Sequence, residues 1–177
     1  MTEKLFLKKR ILELATRKKI YELVKKYEGS HFRELERISR LPASSLKYHL
    51  DYLTRHDLIT EEKNRNTLCY FSHELDVDKE LLMLLRQKSI RNLLLFLMIR
   101  EQCSFEEMVR FLQLSPSTVS WHAKRLKLKK MLTVGKEGRQ TYYKLAIDKQ
   151  HIMNLLIIYQ ESFFDSLVDK AIALWDV

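Results

Sequence analysis

Glycine and proline are nearly missing from this chain: three and two residues among 177, against a usual combined share of about 12%. All-β folds need a turn residue roughly every 8–12 positions, and phosphate-cradling loops need clustered glycine, so both are excluded. Cysteine is as scarce. Cys69 and Cys103 are too few for a disulfide framework and show no Cys-x-x-Cys spacing. Long apolar runs are missing too. The longest, Leu93 to Ile99, stops between Asn92 and Arg100, where a membrane span needs about 20 residues. Met1–Arg10 lacks the apolar core of a signal peptide. These absences predict a cytoplasmic protein with reduced thiols and no membrane partner. What is present is 46% hydrophobic and 31% charged residues, with 32 Lys+Arg against 23 Asp+Glu for a net charge of +9. That composition supports a core and points to a mostly helical, basic chain.

The chain also repeats. Shifted by 73 positions it aligns with itself without a gap: Phe32, Glu34, Arg37, Leu41, Ser44, His49, Leu53, Thr60, Lys63 and Tyr70 fall on Phe105, Glu107, Arg110, Leu114, Ser117, His122, Leu126, Thr133, Lys136 and Tyr143. A period this long reads as two copies of one supersecondary unit. Each copy opens with a helix, over about residues 16–27 and 89–100, and a short second helix follows. In copy two that helix carries a capping box, Ser104-Phe-Glu-Glu107. A tight turn leads to a third helix, begun in copy two by Ser115 as N-cap with Pro116 at N1. Copy one has Pro42 in place of Ser115, so its helix starts less cleanly. The apolar period then changes from 3.6 to 2. Leu58–Glu62 and Leu68–Phe71, and Met131–Val134 and Thr141–Leu145, read as two β-hairpins with long basic tips.

Helix, helix, tight turn, helix and basic hairpin is the winged helix-turn-helix order. Leu114–Leu126 followed by Gly135–Leu145 resembles the recognition helix and wing of ArsR-like transcriptional regulators, and Leu41–Leu53 resembles the same helix in copy one. Over residues 16–145 the chain is similar to archaeal regulators with two such domains in tandem. The position before the first wing strand often holds glycine in that family; here it is Asp57 or Lys130. The cysteine pair through which some relatives sense metals is lacking, so metal sensing does not carry over. The resemblance implies a mainly α fold with small β-hairpin wings (α+β): tandem winged helix-turn-helix domains plus a C-terminal helix. The boundaries expected are 1–76, 77–147 and 148–177.

It also implies double-stranded DNA as partner, with the third helix in the major groove and the hairpin along the backbone or minor groove. In copy one Leu46, His49, Leu50 and Leu53 form the apolar stripe. The residues facing DNA are then Ser44, Ser45, Lys47, Tyr48 and Arg55, with Lys63 and Arg65 on the hairpin. In copy two Val119, His122, Ala123 and Leu126 form the stripe, leaving Ser117, Thr118, Ser120, Trp121 and Lys124, with Lys136 and Arg139 on the hairpin. Hydroxyls and lysines of this kind bond phosphate or base edges. Tyr48 and Trp121 could pack on a thymine methyl, contact sugar, meet another subunit, or fold back into the core. His49 and His122 read as core-edge histidines bonded to backbone, or else as ligands. No nucleophile–base constellation and no metal-ligand spacing among His31, His56, His73, His151 and the cysteines is found, so no enzyme and no cofactor is expected.

Beyond copy two, Ile152, Leu155, Leu156, Tyr159, Phe163 and Leu167 recur at helical spacing. One helix of about 25 residues fits them. It either packs on its own chain or makes a homodimer through Leu155, Leu156, Tyr159, Phe163 and Leu167. At the other end, Lys4–Lys26 holds nine Lys/Arg against Glu13 and Glu22 and predicts at least one amphipathic helix ahead of copy one. Lys124–Lys149 likewise has nine basic against two acidic residues, so copy two should dominate phosphate binding. Two functions fit this pattern: a DNA-binding transcriptional regulator, and a winged-helix adaptor docking proteins of the transcription or replication machinery. Structured-RNA binding is a third.

Overall fold

The computed structural model describes residues 2–64, 66–163, 171, 172 and 174, in two compact units, Met1–Met83 and Leu84–Val177. Unit 1 runs α1 (Thr2–Ile11), α2 (Ala15–Lys26), β1 (Ser30–His31), α3 (Phe32–Ser39), α4 (Ala43–Arg55), β2 (Ile59–Asn64) and β3 (Thr67–Ser72). Ile20, Tyr21 and Val24 bury one face of α2. They meet Leu35 of α3, Leu46, Leu50 and Leu53 of α4 and Ile59 of β2 in one core. The Lys19 ammonium donates to the Ser39 carbonyl at 2.9 Å, fastening α2 to the end of α3. An ion pair between Lys8 and Glu74 holds α1.

α5 (Lys79–Leu85) crosses the division between the units. Unit 2 continues with α6 (Lys88–Ile99), β4 (Cys103–Ser104), α7 (Phe105–Leu112), α8 (Pro116–Leu128), β5 (Leu132–Glu137), β6 (Gln140–Leu145), α9 (Lys149–Ile158) and α10 (Gln160–Phe163). The bounds of α2 through β3 recur 73 residues later in α6 through β6. Each unit has a three-stranded antiparallel sheet, ordered β1-β3-β2 and β4-β6-β5. The fold is therefore mainly α with small β-hairpin wings, two winged helix-turn-helix units in one chain. Among the described residues no helix is long and apolar enough to cross a membrane.

The structure departs from the sequence reading in four places. The two-residue strands β1 and β4 have no counterpart in it, nor does α5. The hairpins are tighter than read: their ladders run to Asn64↔Thr67 and Glu137↔Gln140. Lys63 and Lys136 are thus ladder residues, opposite Leu68 and Thr141, and each tip shrinks to two residues. Gly138, with φ 60°, takes the first loop position of the second hairpin, where a two-residue loop of the II′ type requires glycine. Third, Asp57 and Lys130 adopt the left-handed region, with φ 56° and 58°, without being glycine. The amides of Leu58 and Met131 reach back to the carbonyls of Leu53 and Leu126 at 3.0 and 2.9 Å, and Asp57 and Lys130 bond Thr54 and Lys127. These are Schellman endings, with buried apolar pairs Leu53/Leu58 and Leu126/Met131 replacing the glycine signal.

Fourth, the single long C-terminal helix is broken. Tyr159 leaves helical geometry at φ −109°, ψ 21°, just after the β-branched pair Ile157-Ile158. Leu155, Leu156, Tyr159 and Phe163 are all buried within the single chain. Read as a dimer face, they are instead already covered, and Phe163 stacks under the buried Arg91 guanidinium, 5.2 Å from ring centroid. Leu167 lies outside the described residues, as does Arg65.

Candidate nucleic-acid interface

Both third helices put their apolar stripe inside: Leu46, His49, Leu50 and Leu53 on α4, and Val119, His122, Ala123 and Leu126 on α8. The opposite faces stand free of the core. On α8, Ser115 caps the helix, its hydroxyl accepting from the Thr118 amide and lying 3.0 and 2.8 Å from the Ser117 and Thr118 hydroxyls. Three hydroxyls thus gather at a helix N-terminus, where the backbone amides and the macrodipole favour an anion. Ser117 and Lys124 are exposed, and Thr118 and Ser120 half-buried. Trp121 is 39% exposed, edge-on to His122 at 4.9 Å, with the Arg125 guanidinium 5.7 Å from its ring.

On α4 the N-cap is Pro42, which offers no hydroxyl. Ser44, Lys47 and Arg55 are exposed and Ser45 half-buried. Tyr48 is 60% exposed and edge-on to His49 at 5.1 Å. Neither Tyr48 nor Trp121 folds back into a core. His49 itself is buried. Burial first, and then the Arg17 guanidinium, hold its imidazole below the ordinary value. The expected backbone bond is not made by its Nδ1, which has no hydrogen-bond partner among the described residues.

On the wings Lys63, Lys136 and Arg139 are exposed. Two wing residues were missed by sequence reasoning. The ring of Tyr142 covers Gly135, its cross-strand partner, and the Lys144 ammonium lies 5.3 Å from that ring. A glycine directly opposite a tyrosine was the available signal, visible only once the tight register is known. Also missed was the row Tyr48 and Tyr52 of α4 and its C-cap His56, at i, i+4 and i+8, with ring centroids 6.5 and 4.4 Å apart. The Arg17 guanidinium stacks on Tyr52 at 3.7 Å.

Among the described residues no group of three His, Cys, Asp or Glu could hold a metal ion. Cys69 and Cys103 are free and buried. Burial pushes the Cys103 thiol up to about 11, which disfavours the reactive thiolate.

Residues 14–82, most of unit 1, match the model of a family described as an N-terminal HTH domain. Over 128 residues the chain is 27% identical to an uncharacterised HTH-type transcriptional regulator of Methanocaldococcus jannaschii, a match covering 72% of this chain and 32% of that protein. The chain thus spans about a third of the length of the curated relative it resembles.

Proposed function

We propose that this chain is a sequence-specific, double-stranded-DNA-binding transcriptional regulator of the ArsR-like kind, built by duplication of one winged helix and working without catalysis or cofactor. The observation that carries the reading is the α8 face: hydroxyls at a helix N-terminus, then an exposed tryptophan and lysine, beside a wing bearing Lys136 and Arg139. In this reading Ser117, Thr118, Ser120, Trp121 and Lys124 meet base edges and phosphates, and Lys136 and Arg139 track the backbone. Ser44, Ser45, Lys47, Tyr48, Arg55, Lys63 and Arg65 are the residues of the same helix face and hairpin in unit 1, and the more basic unit 2 dominates the grip. The matched HTH family and the archaeal relative support this reading, and the cytoplasm of an archaeal cell suits it.

Pairing of two chains, with a pseudo-palindromic operator, belongs to the same proposal. With Leu155, Leu156, Tyr159 and Phe163 buried, the apolar residues of α9 left for a partner are Ile157 and Ile158, 40% and 64% exposed. Selection of bound sequences from random duplexes tests the whole. A recovered motif, with affinity falling steeply as salt rises, supports the regulator. Salt-insensitive binding to a protein partner, with no motif recovered, supports a winged-helix adaptor instead.

A further inference from the structure

The two third-helix and wing segments share one backbone plan but differ in charge, one neutral and the other strongly basic. From Ala43 to Ser72, Lys47, Arg55, Lys63 and Arg65 are cancelled by Asp51, Asp57, Glu61 and Glu62. From Pro116 to Leu145, eight Lys/Arg stand against Glu137 alone. The contrast is made position by position: where unit 1 has Asp51, Asp57, Glu61 and Glu62, unit 2 has Lys124, Lys130, Val134 and Gly135.

Two of these carboxylates converge. Glu61 on β2 is the cross-strand partner of Tyr70, and Asp51 comes from α4. Tyr70 is 6% exposed. Its hydroxyl is pushed up to about 12 by burial first, and then by the charges of Glu61 and Asp51. They meet where α4 packs against β2, the side of unit 1 that the docking proposed above turns towards the phosphate strands. Glu62 has a counter-ion, with its carboxylate 3.6 Å from the Lys79 ammonium. Asp51 and Glu61 form no ion pair among the described residues. The rim offers no relief. The aromatic row Tyr48, Tyr52 and His56 stands where unit 2 has Trp121, Arg125 and Lys129, and Arg17, the cation stacked there, is spent on Tyr52 and the Ile11 carbonyl.

We propose that Asp51 and Glu61 close the unit 1 recognition face to duplex DNA, so that the chain grips a duplex through unit 2 alone. The inference rests on the duplex-binding reading above, and it makes these two carboxylates specificity determinants. Like charges facing a phosphate strand are a repulsive element directed against the wrong ligand. The unit 1 set from Ser44 to Arg65 is then not a second reading head.

The test uses the full chain, a short mixed-sequence DNA duplex, and a salt titration. Asp51→Lys/Glu61→Val gives unit 1 the residues of unit 2. It is expected to raise affinity about tenfold at low salt, and to steepen the slope of log K against log salt by about 1, as one more phosphate is neutralised. Asp51→Asn/Glu61→Gln barely changes shape and should move in the same direction, which keeps the test intact if the first variant misfolds. Lys124→Asp, the reverse exchange, should weaken binding at least about tenfold. Unchanged affinity and slope in both unit 1 variants overturns the inference. So does a wild type weakened as much by Lys47→Ala or Arg55→Ala as by Lys124→Ala. A wild type that binds no duplex sinks the proposed function instead. The unit 1 variants still decide the present point: duplex binding that emerges in them supports the barrier, and its continued absence overturns it.

Discussion

The ring of Tyr142 occupies the space that a side chain at Gly135 would need: a Cβ built there falls 2.3 Å from Tyr142 Cζ. Gly135→Ala must therefore swing the ring off the strand. Overpacking of this kind costs about 1–3 kcal/mol, at the low end here because the clash is with the far end of the tyrosine. The variant should fold, melt slightly earlier, and bind duplex several-fold more weakly because Tyr142 and Lys144 are displaced. Gly135→Ala/Tyr142→Ala should recover the melting temperature. A double variant no more stable than Gly135→Ala would show that the ring is not the obstacle.

Buried His49 gives the fold a pH dependence. Its imidazole is held below the ordinary value by burial and by Arg17, so the folded state favours the neutral ring and the unfolded state takes up a proton more readily. The stabilisation is present above about pH 6.5, the unfolded value, and is lost as the pH falls below it. Thermal melts across that range should show wild type losing more stability towards acid than His49→Gln. Parallel curves for the two proteins would remove His49 as the source.

Glu28 is buried, and its carboxylate accepts from the Ser72 amide at 2.8 Å and from the Ser72 hydroxyl. Burial raises its proton affinity, and the bonds from Ser72 act against that rise. Glu28→Ala leaves the end of β3 with an unmatched buried amide, at a cost of about 1–3 kcal/mol. Ser72→Ala removes the hydroxyl bond alone and should cost less. Urea melts of both variants check the order, and equal losses would contradict it.

Asp57 and Lys130 hold left-handed backbone that costs a residue with a Cβ roughly 1–2 kcal/mol. Glycine relieves that strain but adds freedom to the unfolded chain. Asp57→Gly and Lys130→Gly should each stabilise by about 0.5–1 kcal/mol, read as a higher denaturation midpoint. A loss of stability in both would mean that their side chains hold more than the backbone suggests.

Most of the helical frame was legible because its signals are local. Ser104 and Glu107 mark a capping box by spacing alone, and Ser115-Pro116 marks the start of α8. The stripe Leu46, His49, Leu50, Leu53 fixes the phase of α4, and hence the exposure of Tyr48. What stayed hidden depends on partners distant in sequence. Ser30 and His31 form a strand only because Tyr70 and Cys69 lie beside them. The hairpin ladders run through polar residues, Lys63-Asn64 and Lys136-Glu137, that carry no apolar alternation. The helix ends at Asp57 and Lys130 lack the glycine that usually announces them. The bend at Tyr159 follows from burying Tyr159 and Phe163 in their own unit, which helical periodicity does not report. Within the candidate interface, the exposed faces of α4 and α8 could be read in advance. The convergence of Asp51 and Glu61 on Tyr70 could not, since it joins a helix and two strands.

His31 is both the last residue of β1 and the cap of α3, its Nδ1 receiving the Glu34 amide at 3.1 Å, and Ser104 has the same double duty between β4 and α7. Sheet and short helix are therefore spliced at a single residue, with no slack between them. Since β3 and β6 are the middle strands of their sheets, each hairpin is tied by strand pairing to the residue that starts its short helix. A shift of the middle strand therefore reaches the start of the short helix without an intervening loop, which couples each hairpin to the helices of its own unit.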